Sequence, residues 1–386
     1  MALKARGHEV CVLTGMPNYP DGKIFDGYSW RKKRHEEMEG IPIVRVPLFA
    51  RREGRGWQMA INFLSFALSA CLLAPWVLRG KRFDVIFTYE VSPVTVGLPA
   101  VLMAKIHRAR HFFWVLDLWP ETLAATGAVK SPGVLALVGK MVRWIYRNCD
   151  RILLQSKSFV QPVLNVGAEE QQLRYFPNWA EALYQSVVPA EKAVERKEMP
   201  DSGFVVMFAG NLGAAQALDS IVEAAECLKD RDIHWVILGD GRRRAWLESQ
   251  VQAKCLAKVH ILGSRPMQTM PTYFALADAM LVTLKDDPVM STTIPGKVQS
   301  YLACGRPIIG ALSGAGADVI HESGAGYVVP PDDVHGLARV VGEMSRLPVV
   351  ERNKMGKAAR DYYEQHFERD MLIDQLESWM QEGVAS

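Results

Sequence analysis

The fold is decided by a run of apolar, β-forming residues that stops at a glycine-containing turn, Val205-Val206-Met207-Phe208-Ala209-Gly210-Asn211-Leu212-Gly213-Ala214-Ala215-Gln216. The apolar run is typical of a buried strand, and the residues after Gly213 are expected to begin a helix. Backbone N–H groups at a helix start favour a bound anion, and Gly210 and Gly213 let a diphosphate approach the backbone closely. Any strand-to-helix turn can use glycine for geometry alone, so the turn by itself leaves both interpretations open.

Strands alternate with helices on both sides of this turn. Further strands are predicted at residues 9–14, 83–88, 111–116, 151–155, 234–238, 259–262, 279–284 and 307–310. This alternation predicts an α/β fold with parallel sheets covered by helices. Residues 181–203 interrupt it with prolines and many charges, which is typical of a linker. The simplest architecture is two doubly wound, Rossmann-like domains, residues 1–190 and 191–365. A C-terminal helix within 366–386 is expected to return to the N-terminal domain.

Composition supports a folded protein of two domains. The chain has 386 residues, of which 49% are hydrophobic and 23% charged, which argues against disorder. A net charge of only +3 gives no indication of a nucleic-acid partner. The six cysteines are scattered without a C-x-x-C pair, which disfavours a zinc site or a disulfide framework and suits a reducing compartment.

A second candidate phosphate site lies between Thr292 and Ser300, where Pro295 and Gly296 precede a short predicted helix. Lys297 falls in the first turn of that helix, where a cation is disfavoured by ~0.3–1 kcal/mol. A bound anion would reverse this penalty, so Lys297 is predicted to contact a phosphate. Residues 238–242 form a similar strand-end junction, which is either a further phosphate-binding turn or, as the pattern favours, a tight turn needed for geometry alone.

The run Trp57–Leu78 carries no formal charge and is flanked by arginine and lysine on both sides. A bilayer span takes about 20 apolar residues, but polar residues and Pro75 interrupt this run, and a span usually has basic residues mainly on one side. Three interpretations remain open: a membrane span, a core helix packed on a sheet, and a helix resting on an anionic membrane surface. A core helix would keep a polar outer stripe, whereas a membrane-resting helix would expose aromatic side chains.

Several motifs, in their order along nearly the whole chain, resemble the retaining GT-B glycosyltransferases of family 4. They are Arg6-Gly7-His8-Glu9-Val10, Leu13-Thr14-Gly15-Met16-Pro17-Asn18-Tyr19-Pro20, Asp117-Leu118-Trp119-Pro120-Glu121, Pro177-Asn178-Trp179, Ala209-Gly210-Asn211-Leu212-Gly213-Ala214-Ala215-Gln216 and Tyr301-Leu302-Ala303-Cys304-Gly305-Arg306-Pro307. The pattern is most similar to the branch typified by WbuB, the L-fucosamine transferases of bacterial surface-polysaccharide assembly.

The resemblance implies that the C-terminal domain binds the nucleotide-sugar donor, that the N-terminal domain binds the acceptor, and that the two face across a cleft. Asn211 and Gln216 stand where many relatives have an arginine and a lysine on the diphosphate. Backbone amides and Lys297 are therefore expected to take over that role. Thr292 and Ser300 stand where many relatives have two glutamates, so a hydroxyl replaces the carboxylate that often contacts the donor ribose.

Other expectations of the resemblance concern chemistry and the chain start. Arg265 is a further donor-binding candidate, and neither a cofactor nor a metal is implied. Asp117 ends a buried strand, where relatives often place a histidine or aspartate near the reacting sugar; it could instead cap the following helix. Glu121 suits the first helical turn and is a second candidate for the catalytic or acceptor site. Relatives begin with a strand and a glycine-containing loop, and this chain is expected to start after both.

The leading functional expectation is transfer of an amino or deoxy sugar from a nucleotide sugar, expected to be UDP-linked. The acceptor would be lipid-linked or a saccharide, in O-antigen, capsule or exopolysaccharide assembly, at the inner face of the cytoplasmic membrane. A UDP-sugar epimerase or a phosphorylase of the same fold is an alternative. A degenerate sugar-nucleotide-binding protein without turnover is another.

Overall fold

The structure is a computed structural model that describes residues 1–19, 21–29, 31–32, 34–185 and 194–382. The chain divides into two compact units: unit 1 is Met1–Phe176 with the segment from Asp370 onward, and unit 2 is Pro177–Arg369. The sequence placed this division near residue 190. Instead, the stretch just after Phe176 packs in unit 2, where the Tyr184 ring stacks on Phe274 with centroids 5.5 Å apart. Residues 186–193 of the predicted linker lie outside the described chain.

Unit 1 is an α/β layer of two sheets. Its strands are β1 (Val12–Gly15), β2 (His35–Met38), β3 (Ile41–Val46), β4 (Val85–Glu90), β5 (Arg110–Val115), β6 (Arg151–Leu154) and β7 (Leu173–Tyr175). Its helices are α1 (Ala2–Ala5), α2 (Gly56–Val77), α3 (Gly97–His107), α4 (Glu121–Ala125), α5 (Pro132–Tyr146) and α6 (Val160–Val166), with 3₁₀ turns at Val94–Val96, Lys157–Phe159 and Glu170–Gln172. β4, β5, β6 and β7 form one parallel sheet in that order, while β3 pairs parallel to β1 and antiparallel to β2.

Unit 2 holds one six-stranded sheet. Its strands are β8 (Phe204–Ala209), β9 (Ile233–Leu238), β10 (Val259–Gly263), β11 (Ala279–Thr283), β12 (Ile308–Ala311) and β13 (Gly326–Val329). Its helices are α7 (Leu218–Cys227), α8 (Arg244–Ala253), α9 (Met270–Leu276), α10 (Gly296–Ala303), α11 (Ala315–Ser323), α12 (Val334–Arg346) and α13 (Val349–His366), with 3₁₀ turns at Ala182–Gln185, Val194–Glu198, Ala214–Gln216, Met267–Thr269 and Met290–Thr292.

The strand order of unit 2 fixes where a ligand can bind. The parallel order is β10-β9-β8-β11-β12-β13, so the chain winds outward in both directions from the pair β8 and β11. In doubly wound sheets of this order, ligands bind outside the carboxyl ends of the strands at that reversal. The turn after β8 therefore lies where a binding site is expected.

β8 is buried on both faces, as a central parallel strand must be. Val205, Met207 and Ala209 pack into one apolar cluster, with Tyr301 and Val298 of α10. The alternate residues of β8 pack into a second cluster on the other face of the sheet. This period-two division explains why the run at 204–209 has no polar position.

The last helix, α14 (Arg369–Gln381), packs in unit 1 with the N-terminal part of the chain. Arg6 forms ion pairs with Asp374 at 2.7 Å and Glu377 at 2.9 Å. The rings of Trp379 and Phe176 meet edge to face at 6.0 Å. The two ends of the chain thus meet in one unit.

Helix α2 buries its small and polar residues and exposes its large apolar ones, the reverse of an ordinary core helix. Its buried positions are small or polar, namely Gln58, Asn62, Ala67, Ala70 and Ala74. Its large apolar side chains are exposed, and they follow one another at helical spacing: Trp57, Ile61, Leu64, Leu68, Leu72 and Trp76. The polar groups face inward because they bind the segment before the helix: Asn62 Nδ2 donates to the Phe49 carbonyl at 2.5 Å, and Ser65 Oγ accepts from the Phe49 N–H at 3.0 Å.

Candidate functional site

The turn after β8 is shaped by two glycines. Gly210 has φ of 149°, and a Cβ there would lie 3.2 Å from Lys297 Nζ. Gly239, at the end of neighbouring β9, has φ of 135°, and a Cβ there would lie 1.8 Å from the Gly210 carbonyl oxygen. A side chain at position 239 is therefore excluded, because the two strand ends approach in direct backbone contact.

The segment after the turn differs from the prediction. Gly213 is followed by a 3₁₀ turn, Ala214–Gln216, and α7 begins only at Leu218 after Ala217 in the left-handed conformation. Among the described residues, the N–H groups of Asn211, Gly213 and Ala214 donate no backbone hydrogen bond. The expected anion-binding role of this turn would therefore rest on the amides of a loop and not on the start of a helix.

Lys297 crosses to this turn from the first turn of α10. Its Nζ donates to Gln216 Oε1 at 2.5 Å and lies 4.0 Å from the centroid of the Phe208 ring. No carboxylate of the described residues forms an ion pair with it. Burial of the ammonium group lowers the pKa of Lys297 to about 7. Such a desolvated cation without a counter-ion favours an incoming anion.

A cavity of about 230 Å³ opens beside Gly210, Lys297 and Ser300. It extends along the ends of β9 and β10 and is lined by residues that include Tyr184, Gly239, Ser264, Arg265, Phe274 and Tyr301. The Tyr301 hydroxyl both accepts from the Ala209 N–H and donates to the Ala209 carbonyl, each at 3.1 Å. Tyr301 thereby fixes the end of β8 directly before the turn.

The sequence-predicted donor residues divide into two groups. Gly210, Lys297, Ser300 and Arg265 line the cavity, and Gln216 reaches it through Lys297. Asn211, Gly213 and Thr292 are not among the residues that line it.

Arg265 and Thr292 have bonds of their own within the protein. The Arg265 guanidinium binds Glu198 and also donates to the Tyr273 hydroxyl at 3.0 Å. The hydrogen bond that Glu198 accepts from Arg265 lowers the pKa of the Glu198 carboxyl. Thr292 Oγ1 donates to the Val289 carbonyl at 2.7 Å. Arg265 must therefore exchange part of this network to bind a ligand with its guanidinium.

The second candidate site lies at the carboxyl edge of β4 and β5 in unit 1. Asp117 follows β5, and its Oδ1 accepts from the Thr122 hydroxyl at 2.5 Å. Glu121 opens α4, and its Oε2 is buried without a hydrogen-bond partner among the described residues. Asp117 thus lies at a strand end, and the Thr122 bond is also compatible with the alternative role of fixing the start of α4.

Sequence reasoning missed Glu90, the last residue of β4. Glu90 is completely buried, and its Oε2 accepts from the Asp117 N–H at 3.3 Å. A carboxylate at the carboxyl end of an otherwise apolar strand was the available signal. Gly239 and Tyr301 stood in predicted motifs, but their contacts with the turn after β8 were not predicted, because those contacts join segments distant in sequence.

Two family descriptions match the two halves of the chain. Residues 1–179 match the glycosyl transferase 4-like domain, and residues 203–346 match glycosyl transferases group 1. The chain belongs to the GT-B glycosyltransferases of family 4. The group 1 match lies within unit 2 and includes every residue that lines the cavity except Tyr184, and Glu90 and Asp117 fall in the 4-like domain.

Curated relatives and solved structures agree with this assignment. The chain is 27% identical over 385 residues to WcaI of Escherichia coli K12, named as a colanic acid biosynthesis glycosyl transferase, covering 97% of this chain and 92% of WcaI. A glycosyltransferase from Rickettsia africae has the same fold, with a TM-score of 0.70 at 16% identity, over 98% of this chain and 100% of that one. Anabaena HepE in complex with UDP gives a TM-score of 0.69 at 13% identity, over 97% and 100% of the two chains.

Proposed function

We propose that this glycosyltransferase moves an amino or deoxy sugar from a UDP-sugar to a lipid-linked or saccharide acceptor in surface-polysaccharide assembly, with retention of anomeric configuration. The observation that carries the donor part is the uncompensated Lys297 ammonium facing the Gly210 turn. Retention and the L-fucosamine transferase branch rest on the motif resemblance. The role in polysaccharide assembly is supported by the name of WcaI.

The donor diphosphate would lie between the Gly210 turn and the start of α10. As the sugar–phosphate bond breaks, negative charge grows on the leaving diphosphate, and preorganised donors stabilise it best in a site that excludes water. Lys297 would supply the charge, and the free amides of Asn211 and Gly213 would supply hydrogen bonds. The choice of UDP is supported by HepE, whose solved structure contains UDP. No metal is invoked for this step.

In unit 1, Asp117 would orient the acceptor hydroxyl or stabilise positive charge at the anomeric carbon, and Glu121 would bind the acceptor. We further propose that α2 rests on the anionic inner face of the cytoplasmic membrane, which would bring a lipid-linked acceptor to the enzyme. The exposed apolar stripe of α2 supports this placement, since two tryptophans end it, Trp57 at 58% and Trp76 at 72% exposure. By length and composition α2 could also cross a bilayer.

A nucleotide screen by thermal shift tests the donor. UDP should raise the melting temperature more than GDP or ADP at equal concentration, because only binding to the folded state stabilises it. The Lys297→Ala variant should reduce this shift, whereas Lys254→Ala should leave it intact, because Lys254 follows α8 outside the cavity and pairs with Glu226 of α7. Equal shifts for all three nucleotides would contradict a uridine-specific site.

A transfer assay separates the remaining functions. Labelled UDP-sugars incubated with a membrane lipid extract should yield a glycolipid whose new linkage, assigned by NMR, keeps the donor configuration. Conversion of a UDP-sugar without acceptor would favour an epimerase instead. UDP binding with no turnover of any UDP-sugar would favour a degenerate binding protein.

A further inference from the structure

Glu90 and Asp117 form a carboxyl pair at adjacent strand ends. Glu90 ends β4 opposite Val115, the last residue of β5, and Asp117 follows two residues later. Glu90 Oε2 accepts the Asp117 N–H at 3.3 Å, and the Glu90 carbonyl accepts the Leu116 N–H at 3.1 Å. The main chain that carries Asp117 is therefore held by Glu90.

The surroundings of this pair are acidic. Burial, and then the acidic groups of Glu90, Cys149, Glu121 and Asp117, raise the pKa of Tyr146 of α5 well above its ordinary value. Thr122 is the hydroxyl that faces Asp117, and Gln155 donates to the Leu116 carbonyl at 2.5 Å. Within the described residues, no Lys, Arg or His forms an ion pair with any of the three carboxyls.

Glu90 is the member that cannot remain charged. Its side chain is 0% exposed, and its Oε1 has no hydrogen-bond partner in the described chain. A buried carboxylate without a cation is strongly destabilising, and of two adjacent carboxyls one retains its proton. Burial, and then the charge of Asp117, raise the pKa of Glu90 well above its ordinary value. Asp117 differs from it in being partly exposed and in accepting a hydrogen bond from the Thr122 hydroxyl.

We propose that Glu90 is a positioning residue that acts as a neutral carboxylic acid and holds the Asp117 main chain through Oε2. The protonation of Glu90 is independent of the reaction, while the consequence for catalysis rests on the proposed glycosyl transfer. The buried Oε1 of a protonated Glu90 is a hydroxyl donor.

Stability against pH tests the protonation without any substrate. A carboxyl with a raised folded-state pKa contributes full stability below its unfolded value of about 4.3, and loses it as pH rises toward the folded value. Glu90→Gln keeps the acceptor oxygen and carries no proton to lose. The folding equilibrium constant of Glu90→Gln, divided by that of wild type, should therefore rise as pH increases from 5 to 8, by up to about tenfold per pH unit.

The control is Glu170→Gln on the surface of unit 1. The difference between its urea-unfolding midpoint and that of wild type should stay constant from pH 5 to 8. A constant midpoint difference between Glu90→Gln and wild type over this range would overturn the proposal, because Glu90 would then be ionised in the folded protein. If Glu90→Gln fails to fold, the infrared difference between wild type and Glu90→Ala decides the matter: a protonated carboxyl band at neutral pH that only wild type shows supports the proposal, and its absence refutes it.

Kinetics test the positioning role. Glu90→Ala should lower kcat at least about tenfold more than Glu90→Gln, which retains the bond to the Asp117 N–H. The wild-type rate should fall on the alkaline side as Glu90 ionises, and Glu90→Gln should lack that limb. Equal losses in both variants with unchanged pH profiles would overturn the positioning role. An absence of transfer in wild type, with the stability result intact, would instead refute the proposed function alone.

Discussion

At the scale of single residues, the proposed donor site depends on a cation for which the described residues supply no opposite charge. Lys297 has a glutamine oxygen and an aromatic face as its partners, and its pKa is lowered to about 7 by burial. Above that pH the empty site therefore holds mainly a neutral amine. A diphosphate bound there would restore the charged form, because it would replace the lost hydration with an opposite charge.

Binding of UDP should accordingly take up protons at alkaline pH. Calorimetry at pH 8 in buffers of different ionisation enthalpy should show uptake approaching one proton per UDP, and affinity should fall by up to about tenfold per unit above pH 7. Lys297→Arg stays charged across this range and should show neither effect. Proton uptake of the same size in Lys297→Arg would place the titrating group elsewhere.

The sequence could indicate the residues of this site only where the signal is local. Gly210 and Lys297 each lie at a recognisable strand end or helix start, so their chemistry could be predicted from neighbours in the chain. The hydrogen bond between Lys297 and Gln216 joins residues 81 positions apart. Glu90 reaches the Asp117 N–H only because β4 pairs with β5. Such contacts depend on strand order, which local patterns do not contain.

At the scale of elements, α2 shows the same limit. The sequence shows that the helix is rich in apolar residues. It does not show which face is buried, because apolar residues occur on every face of the helix. The fold decides it: Asn62 and Ser69 bind the segment Pro47–Phe49, and this turns the tryptophans outward. This exposure argues against the core-helix interpretation, because a core helix would bury Trp57 and Trp76. The membrane span and the helix resting on a membrane surface remain.

Vesicle binding tests the role of α2. Wild type should co-sediment with phosphatidylglycerol-containing vesicles at low salt, less with phosphatidylcholine alone, and less as salt screens the basic flanks. Replacing Leu64, Leu68 and Leu72 by glutamate should abolish binding. The control is glutamate at Val349 and Val350, exposed apolar positions on α13. A wild type that stays in solution with every vesicle would refute membrane contact.

At the scale of the whole molecule, two Rossmann-like units were predictable from alternating strands and helices, whereas their boundaries were not. The polar, proline-containing stretch suggested a linker near residue 190, but Pro177–Tyr184 already packs in unit 2. The last helix belongs to unit 1 through Arg6, Arg110 and Phe176. These contacts join residues more than two hundred positions apart.

Removing the side chain of Trp379 should therefore destabilise unit 1. The Trp379→Ala variant loses the ring contact with Phe176, and because the tryptophan is only half-buried the cost should be about 1–3 kcal/mol. Urea unfolding with hydrogen exchange should locate the loss in unit 1. The exposed neighbour Gln375→Ala is the control, and a loss confined to unit 2 would contradict the placement of α14.

The central claim is that unit 2 binds a nucleoside diphosphate through the Gly210 turn and Lys297. Isothermal titration calorimetry of UDP at pH 7 measures it directly, on wild type, Lys297→Ala and the control Lys254→Ala. Loss of a buried charge–phosphate contact should weaken binding by about 2 kcal/mol or more, some thirtyfold in Kd, with the control unchanged. A Lys297→Ala variant that binds UDP as tightly as wild type would contradict the account.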